Sequence, residues 1–294
     1  MSDQHAARPA EASGTFQLGG DLPVHRLGYG TMRLPGPNVW GEPTDPDEAV
    51  RVLRRAVELG VNFIDTADSY GPFISDQLIR KALHPYPEEL VIATKAGLSR
   101  PGPEAWVPLG RPEYLRQQAE LSLRHLGVER IDLFQLHRID PAVPLADQVG
   151  ELELLRQEGK IRHIGLSEVT IDQIEQARAI TEIVSVQNLY NLLARDYEEV
   201  LGYAEREGLA FIPWFPIASA ELALPGGPLE TIAKNLGVSG AQLAVAWLLR
   251  RSPVLLPIPG TSSVAHVEEN TRAALIELSD ADYQELSALT ATAA

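Results

Sequence analysis

The sequence predicts an α/β protein: a single (β/α)8 TIM barrel with an N-terminal β-hairpin capping one end. From Phe16 onward, short and nearly continuous apolar runs alternate with longer amphipathic ones, as strands buried on both faces alternate with the helices that cover them. No composition break or Pro/Gly/Ser linker interrupts the alternation, which implies parallel β–α units with right-handed crossovers. The chain has 294 residues, and one such barrel typically takes about 250.

Met1–Gly14 is small and polar, contains Pro9, and lacks the basic start and apolar run of a signal peptide, so it reads as the flexible tail of a cytoplasmic protein. Thr15–Arg26 sets Gly19-Gly20-Asp21 between two alternating arms, a hairpin pattern. The strand candidates are Leu27–Tyr29, Val61–Asp65, Leu90–Thr94, Ile131–Leu136, Ile161–Leu166, Ile183–Gln187, Leu209–Pro213 and Val254–Pro257. Between them lie helical patterns at Asp47–Leu59, Ile74–Leu83, Pro112–Leu126, Leu145–Glu158, Ile171–Thr181, Tyr197–Glu207, Leu229–Leu236 and Gly240–Arg251. Gly60, Gly127, Gly159, Gly208 and Gly237 close several of them, as left-handed C-caps do. Eight strands, each followed by a helix, make a closed barrel the economical solution, with the barrel unit at 15–289 and a C-terminal tail at 290–294.

Composition narrows the function. The 40 Asp and Glu against 25 Lys and Arg leave a formal net charge of −15, and nucleic acid or an anionic membrane surface calls for a basic field instead. No stretch of about 18 uncharged apolar residues is present to span a bilayer. With no cysteine there is no disulfide, thiolate catalysis or Cys-based metal site. Neither GxxxxGK[ST] nor HExxH occurs, and no metal is expected. The rival architecture, a doubly wound dinucleotide-binding domain, fails its fingerprint. After Gly28-Tyr29-Gly30 the third glycine position holds Arg33, and a loop rich in proline (Pro35, Pro37, Pro43, Pro46) replaces the immediate helix.

In a parallel barrel the chemistry sits at the carboxyl ends of the strands. There stand Asp65 with Tyr70 just beyond it, Lys95, His137, Ser167, Gln187 and Trp214. Each alone has an ordinary structural reading: a loop cap, a surface lysine, a satisfied core histidine. Convergence changes the odds, because an acid, a base and a histidine end successive strands at one mouth. Together they suit a proton donor for a carbonyl. A tyrosine titrates near pH 10, and an ammonium beside it favours the ionised form, so Lys95 is expected to lower the pKa of Tyr70. Asp65 would hold Lys95 charged. His137, as a neutral imidazole, would fix the substrate oxygen.

These segments, in order, resemble the aldo-keto reductases: Gly30-Thr31-Met32, Asn62–Ala67 through Tyr70-Gly71, Ala93–Lys95, Leu133–His137, Ile164–Ser167, Val186–Asn191, and Ile258–Ser263 running to Glu269-Asn270. They span about residues 16 to 275. The resemblance implies a barrel that binds an extended nicotinamide cofactor, with Asp65, Tyr70, Lys95 and His137 as the catalytic tetrad and Tyr70 as general acid. It implies cofactor contacts from Gly30, Thr31, Met32, Asp65, Ser167, Gln187, Trp214, Phe215, Pro216, Ile217, Gly260, Thr261, Ser262, His266, Glu269 and Asn270.

The chain departs from the family pattern in three places, four positions in all. Glu168 replaces an asparagine that binds the carboxamide. Trp214 replaces a stacking tyrosine and keeps a π-face. Gly260 and His266 replace a lysine and an arginine at the 2′-phosphate, and beyond Arg251 the only Lys or Arg is Arg272. The phosphate would then rest on the hydroxyls of Thr261, Ser262 and Ser263 and on amides of a helix starting near Val264; the ordinary reading is an N-cap by Ser263. The cofactor implied is NADPH, with NADH the alternative.

A small-molecule carbonyl substrate is expected under the mouth loops Leu34–Pro46, Gly97–Gly110, Arg138–Pro144 and Phe215–Pro228. Trp40, Phe73, Trp106 and Phe215 are offered as walls, and Trp40, Tyr70, Trp106 and His137 as substrate contacts. Within the family, Gly28–Pro43, Ile161–Ser167 and Trp247–His266 are most similar to bacterial pyridoxal reductases. Two readings from other classes are a Schiff-base aldolase using Lys95 and a cofactor-binding regulatory subunit with slow turnover.

Overall fold

A computed structural model describes residues 8–217 and 229–289. Strands β1 (Thr15–Leu18) and β2 (Leu22–His25) form the predicted antiparallel hairpin. The barrel staves are β3 (Tyr29–Gly30), β4 (Phe63–Asp65), β5 (Val91–Ala96), β8 (Ile131–Leu136), β9 (Ile161–Ser167), β10 (Ser185–Gln187) and β11 (Ala210–Phe211). They form one parallel sheet in the order β11-β10-β9-β8-β5-β4-β3. The predicted eighth strand closes the ring. Phe211 N donates to Val254 O (2.9 Å), Leu256 N to Phe211 O (2.9 Å), and Gly28 N to Pro257 O (3.0 Å). At this seam the backbones nearly touch: a Cβ on Gly30 would stand 2.7 Å from the Ile258 carbonyl oxygen, so only glycine fits.

Helices α1 (Pro46–Glu58), α2 (Ile74–Leu83), α3 (Pro112–Leu126), α4 (Leu145–Gln157), α5 (Ile171–Arg178), α6 (Glu198–Glu207), α7 (Glu230–Leu236), α8 (Gly240–Arg251), α9 (Val264–Arg272) and α10 (Asp280–Ala288) surround the sheet. In α1, Asp45 accepts from Glu48 N (2.8 Å), Pro46 opens the first turn, and Ala49, Val52, Leu53 and Ala56 bury one face. Among the described residues no single helix is long and apolar enough to cross a membrane.

Strand periodicity positions the site. Side chains alternate across a strand. Phe63, Val91 and Leu133 pack with hairpin residues Leu18, Leu22 and Val24 at the barrel floor, while Ile64, Ile92 and Phe134 pack with the outer layer. The inward parity continues upward to Asp65, Lys95, Gln135 and His137, all buried. Asp21 fastens the hairpin turn to β9, with its carboxylate 2.6 Å from both Arg162 Nη2 and His163 Nε2.

Two expectations are corrected. Residues 8–14 are not a loose tail: Pro9–Ser13 form a 3-10 turn with Pro9, Ala10 and Ser13 buried. Ala10 N donates to Leu59 O (3.1 Å) and Leu27 N to Ser13 Oγ (3.0 Å). The small side chains that suggested a tail are what let this segment lie against α1. The Gly97–Gly110 loop contains an antiparallel pair, β6 (Leu98–Gly102) and β7 (Ala105–Pro108). Of the Phe215–Pro228 loop, residues 218–228 lie outside the described residues, as do 1–7 and the predicted tail at 290–294.

Candidate active site

At the centre Lys95 Nζ lies 2.5 Å from Asp65 Oδ1, with both side chains buried. Lys95 also donates to Thr66 O (2.9 Å). The second Asp65 oxygen accepts from Gln135 Nε2 (3.1 Å) and Gln187 Nε2 (2.9 Å), so four strands converge on one charge pair. A buried ion pair holds only when its remaining lone pairs and protons are satisfied, and here they are. Burial works against the ammonium, but Asp65 and Tyr70 outweigh it and the Lys95 pKa rises.

Tyr70 is placed by the turn after β4. Gly71 has φ +100°, and a Cβ there would meet Ile74 Cβ at 2.3 Å, so glycine lets the chain enter α2 directly behind the tyrosine. Lys95 Nζ stands 5.3 Å from the Tyr70 ring centre, and the Tyr70 and His137 rings meet edge to face at 6.1 Å. The expected fall in the tyrosine pKa is corrected: burial raises it, and Lys95 opposes that shift without overcoming it. His137 is held well below its ordinary range, by burial first and then by Lys95 and Arg138, so it is neutral. Its Nδ1 lies 3.3 Å from Ser69 Oγ, leaving Nε2 for a ligand.

Two cavities of about 220 Å³ share Met32, Tyr70, Gln187 and Trp214. One adds Gly30, Thr31, Asp65, Phe215, Pro216, Ile217 and Gly260; the other adds Leu98, Trp106, His137, Arg138 and Ser167. Ser167 Oγ donates to Gln187 O (2.9 Å) and accepts from Arg138 Nη1 (3.0 Å). The Gln187 amide nitrogen is fixed by Asp65 and by Gln135 Oε1 (3.3 Å), while its oxygen accepts no hydrogen bond among the described residues. That leaves a carbonyl acceptor facing the cavity beside the indole of Trp214, a donor–acceptor set that fits a flat carboxamide-bearing ring.

Glu168 turns away from this position. It sits at φ +55°, and its carboxylate accepts from Trp214 Nε1 (2.6 Å), Leu189 N (2.7 Å) and Tyr197 OH (3.1 Å). It therefore holds the indole instead of a ligand.

At the predicted phosphate end, two amides at the start of α9 already have partners. Ser263 N donates to Thr261 Oγ1 (3.2 Å) and Val264 N to Glu48 Oε1 (3.1 Å). Ser263 makes no side-chain cap, so the ordinary capping reading also changes hands. His266 Nδ1 lies 3.3 Å from Thr261 Oγ1, Glu269 O accepts from Gln242 Nε2 (2.9 Å), and Asn270 is buried. Gly260, Thr261 and Ser262 line a further cavity of about 550 Å³ with Met32 and Glu48.

Of the offered aromatic walls, Trp106 and Phe215 line the cavities. Trp40 lines neither of the two central ones; Arg100 lies over it at 5.3 Å and over Trp106 at 3.6 Å. Phe73 stacks on His125 of α3 at 4.6 Å. Sequence reasoning missed Gln135, Arg138 and Arg100. A glutamine two positions before His137 in an apolar run was a readable signal. Arg100, which donates to the carbonyls of Asn38, Val39, Ser69, Pro103 and Ala105, had none, because every partner is backbone. No group of three or more metal-ligating side chains occurs among the described residues.

The chain is 52% identical over 288 residues to an uncharacterised oxidoreductase of Schizosaccharomyces pombe, covering 97% of this chain and 94% of that one. It is 42% identical over 276 residues to pyridoxine 4-dehydrogenase of Escherichia coli, covering 92% and 96%. Among solved structures it superposes on glycerol dehydrogenase from Gluconobacter oxydans with TM-score 0.84, 29% identity and 94% coverage of each chain. An aldo-keto reductase from Klebsiella pneumoniae in complex with NADPH gives TM-score 0.78 and 25% identity, covering 92% of this chain and 93% of that one. The profile of the Aldo/keto reductase family matches residues 26–291, and with the barrel and the buried lysine–aspartate pair at its mouth, this chain is an oxidoreductase that belongs to the aldo/keto reductase family.

Proposed function

We propose that this protein reduces an aldehyde or ketone to an alcohol with NADPH, with NADH as a weaker alternative, and that pyridoxal is a substrate to test first. The observation that carries this reading is Lys95, locked by Asp65 and standing beside Tyr70, which itself lines a cavity together with His137. The similarity to pyridoxine 4-dehydrogenase and to the NADPH-bound reductase supports the substrate and the cofactor. We take the barrel to be a single unit from residue 8 to 289, acting in the cytoplasm on a small dissolved carbonyl.

When bound, the nicotinamide supplies the hydride. Trp214 would offer its ring face, and Ser167 and Gln187 would hold the carboxamide. The substrate oxygen accepts from His137 Nε2 and Tyr70 OH. As negative charge grows on that oxygen the Tyr70 proton passes to it, and Lys95 stabilises the tyrosinate left behind. Burial holds the resting phenol protonated, so the proton is present when needed and Lys95 acts mainly as charge develops. Asp65 keeps Lys95 charged throughout. The same pairing argues against a Schiff-base role, since carbonyl attack needs a neutral amine and the Lys95 pKa is raised.

The test is a panel of aldehydes and ketones, pyridoxal included, assayed with NADPH and NADH by reduced-nicotinamide absorbance in the wild type and Tyr70→Phe. Reduction in the wild type and its loss in the variant are expected. No turnover with any carbonyl, or near-full activity in Tyr70→Phe, overturns the reading.

A further inference from the structure

Arg138 follows His137 directly at the end of β8 and lines the same cavity of about 220 Å³ as Tyr70, His137 and Trp106. One corner of its guanidinium is tied down: Nη1 donates to the His137 carbonyl (2.6 Å) and to Ser167 Oγ (3.0 Å). Nε and Nη2 make no hydrogen bond, and no carboxylate forms an ion pair with the group, among the described residues.

Other part-buried arginines of the chain have their guanidinium covered, either by acids, as Arg116 is by Glu151 and Glu158, or by backbone carbonyls, as Arg26, Arg100 and Arg195 are at Nε, Nη1 and Nη2 alike. The acids around Arg138 are committed elsewhere. Glu168 is held by three donors, and Asp65 by Lys95 and two glutamines. Burial lowers the Arg138 pKa, yet a guanidinium stays charged near neutrality. Glu168 acts on Arg138 from beyond ion-pair distance and only partly offsets its burial; a partly desolvated cation with no direct ion pair is unfavourable, and a guanidinium edge is a fork shaped for a carboxylate or a phosphate. The rest of the cavity lining includes Met32, Leu98 and Trp106, which suits an apolar spacer between that anion and the carbonyl.

We propose that Arg138 is a specificity-determining residue, and that the preferred substrates are carbonyl compounds bearing an acid group, ahead of analogues without one, pyridoxal included, with the carbonyl at Tyr70 and His137 and the anion on the free edge of Arg138. The inference rests on the reductase reading above and deepens it.

The test compares 4-carboxybenzaldehyde with 4-methylbenzaldehyde, similar in shape and different in charge, in the wild type, Arg138→Met and Arg138→Lys. The wild type is expected to favour the acid at least 10-fold in kcat/KM, consistent with one charge-assisted bond. That ratio falls to about 1 in Arg138→Met and recovers partly in Arg138→Lys. A role confined to holding Ser167 would slow both aldehydes equally and leave the ratio unchanged. A parallel measurement without turnover titrates the corresponding alcohols against the fluorescence of Trp106 and Trp214, where 4-carboxybenzyl alcohol should bind at least 10-fold tighter than 4-methylbenzyl alcohol in the wild type alone. Pyridoxal 5′-phosphate against pyridoxal is the phosphate arm: a preference there and not for the carboxylate identifies a phosphate, and the reverse a carboxylate. Reduction with no preference in either arm, or a preference that survives in Arg138→Met, overturns the inference. Charge-dependent binding with no reduction of any aldehyde overturns the reductase reading and leaves the anion site standing.

Discussion

The Glu168 carboxylate accepts the indole N–H of Trp214 at 2.6 Å, and two further donors, Leu189 N and Tyr197 OH, hold the same carboxylate. A left-handed φ of +55° is more readily adopted by glycine or asparagine than by glutamate, yet the longer side chain is what reaches the indole. Glu168→Gln keeps an acceptor and should leave cofactor affinity within about threefold. Glu168→Ala removes a charge-assisted bond of roughly 1.5–3 kcal/mol, so the Kd for NADPH should rise on the order of 10-fold or more, with Trp214 emission changing alongside. Equal behaviour of the two variants in a cofactor titration would refute the anchoring role.

Tyr70→Phe should lower kcat by about 10³-fold or more with little change in cofactor Kd, because its hydroxyl acts in the transition state. Steady-state kinetics beside a binding titration separates the two quantities.

Asp65→Asn should destabilise the protein by about 3–5 kcal/mol, since it strands a buried ammonium. At about 2–4 °C per kcal/mol for a chain of this size, Tm falls by roughly 10 °C. The deficit should narrow toward pH 10 as Lys95 becomes able to lose its proton. A deficit independent of pH in thermal melts would point to lost packing instead.

Asp76 is buried behind the site and accepts from Thr66 Oγ1 at 2.9 Å. Burial pushes its carboxyl from the usual 3.8 up to about 7. A carboxyl raised on folding binds its proton more tightly in the native state, so its contribution is complete below about pH 4 and lost as pH rises toward 7. The displacement corresponds to roughly 4 kcal/mol. Asp76→Asn should therefore gain stability over the wild type on going from pH 5 to pH 8, and a constant Tm difference across that range would contradict it.

Glu48 places a carboxylate on the α9 amide of Val264, where the 2′-phosphate is expected. Glu48→Gln should raise the preference for NADPH over NADH several-fold, and His266→Ala and Arg272→Ala should lower it. Affinity ratios unchanged in all three variants would place the phosphate elsewhere.

Much of the site was legible because strand period and barrel polarity are local rules. Apolar runs ending in Asp65, Lys95 and His137 announce a floor and a mouth, and the inward parity that buries Phe63, Val91 and Leu133 carries those polar ends to the centre. Gly71 and Gly30 likewise mark a turn and a seam where no side chain fits.

Other features depend on distances that no local pattern encodes. Whether Lys95 lowers or merely restrains the Tyr70 pKa is a balance between burial and one charge, and burial wins. Glu168 looked like a lost contact because its partners lie 21, 29 and 46 positions away. Arg138 looked like any arginine in an acidic chain, and Arg100 is held by carbonyls, which every residue carries. Local pattern and composition were enough for the barrel, the polar set at its mouth and the scarcity of cations for a phosphate. The tertiary structure alone decided which charges meet and which are left without a partner, because ion pairing and desolvation act through space between segments that only folding brings together.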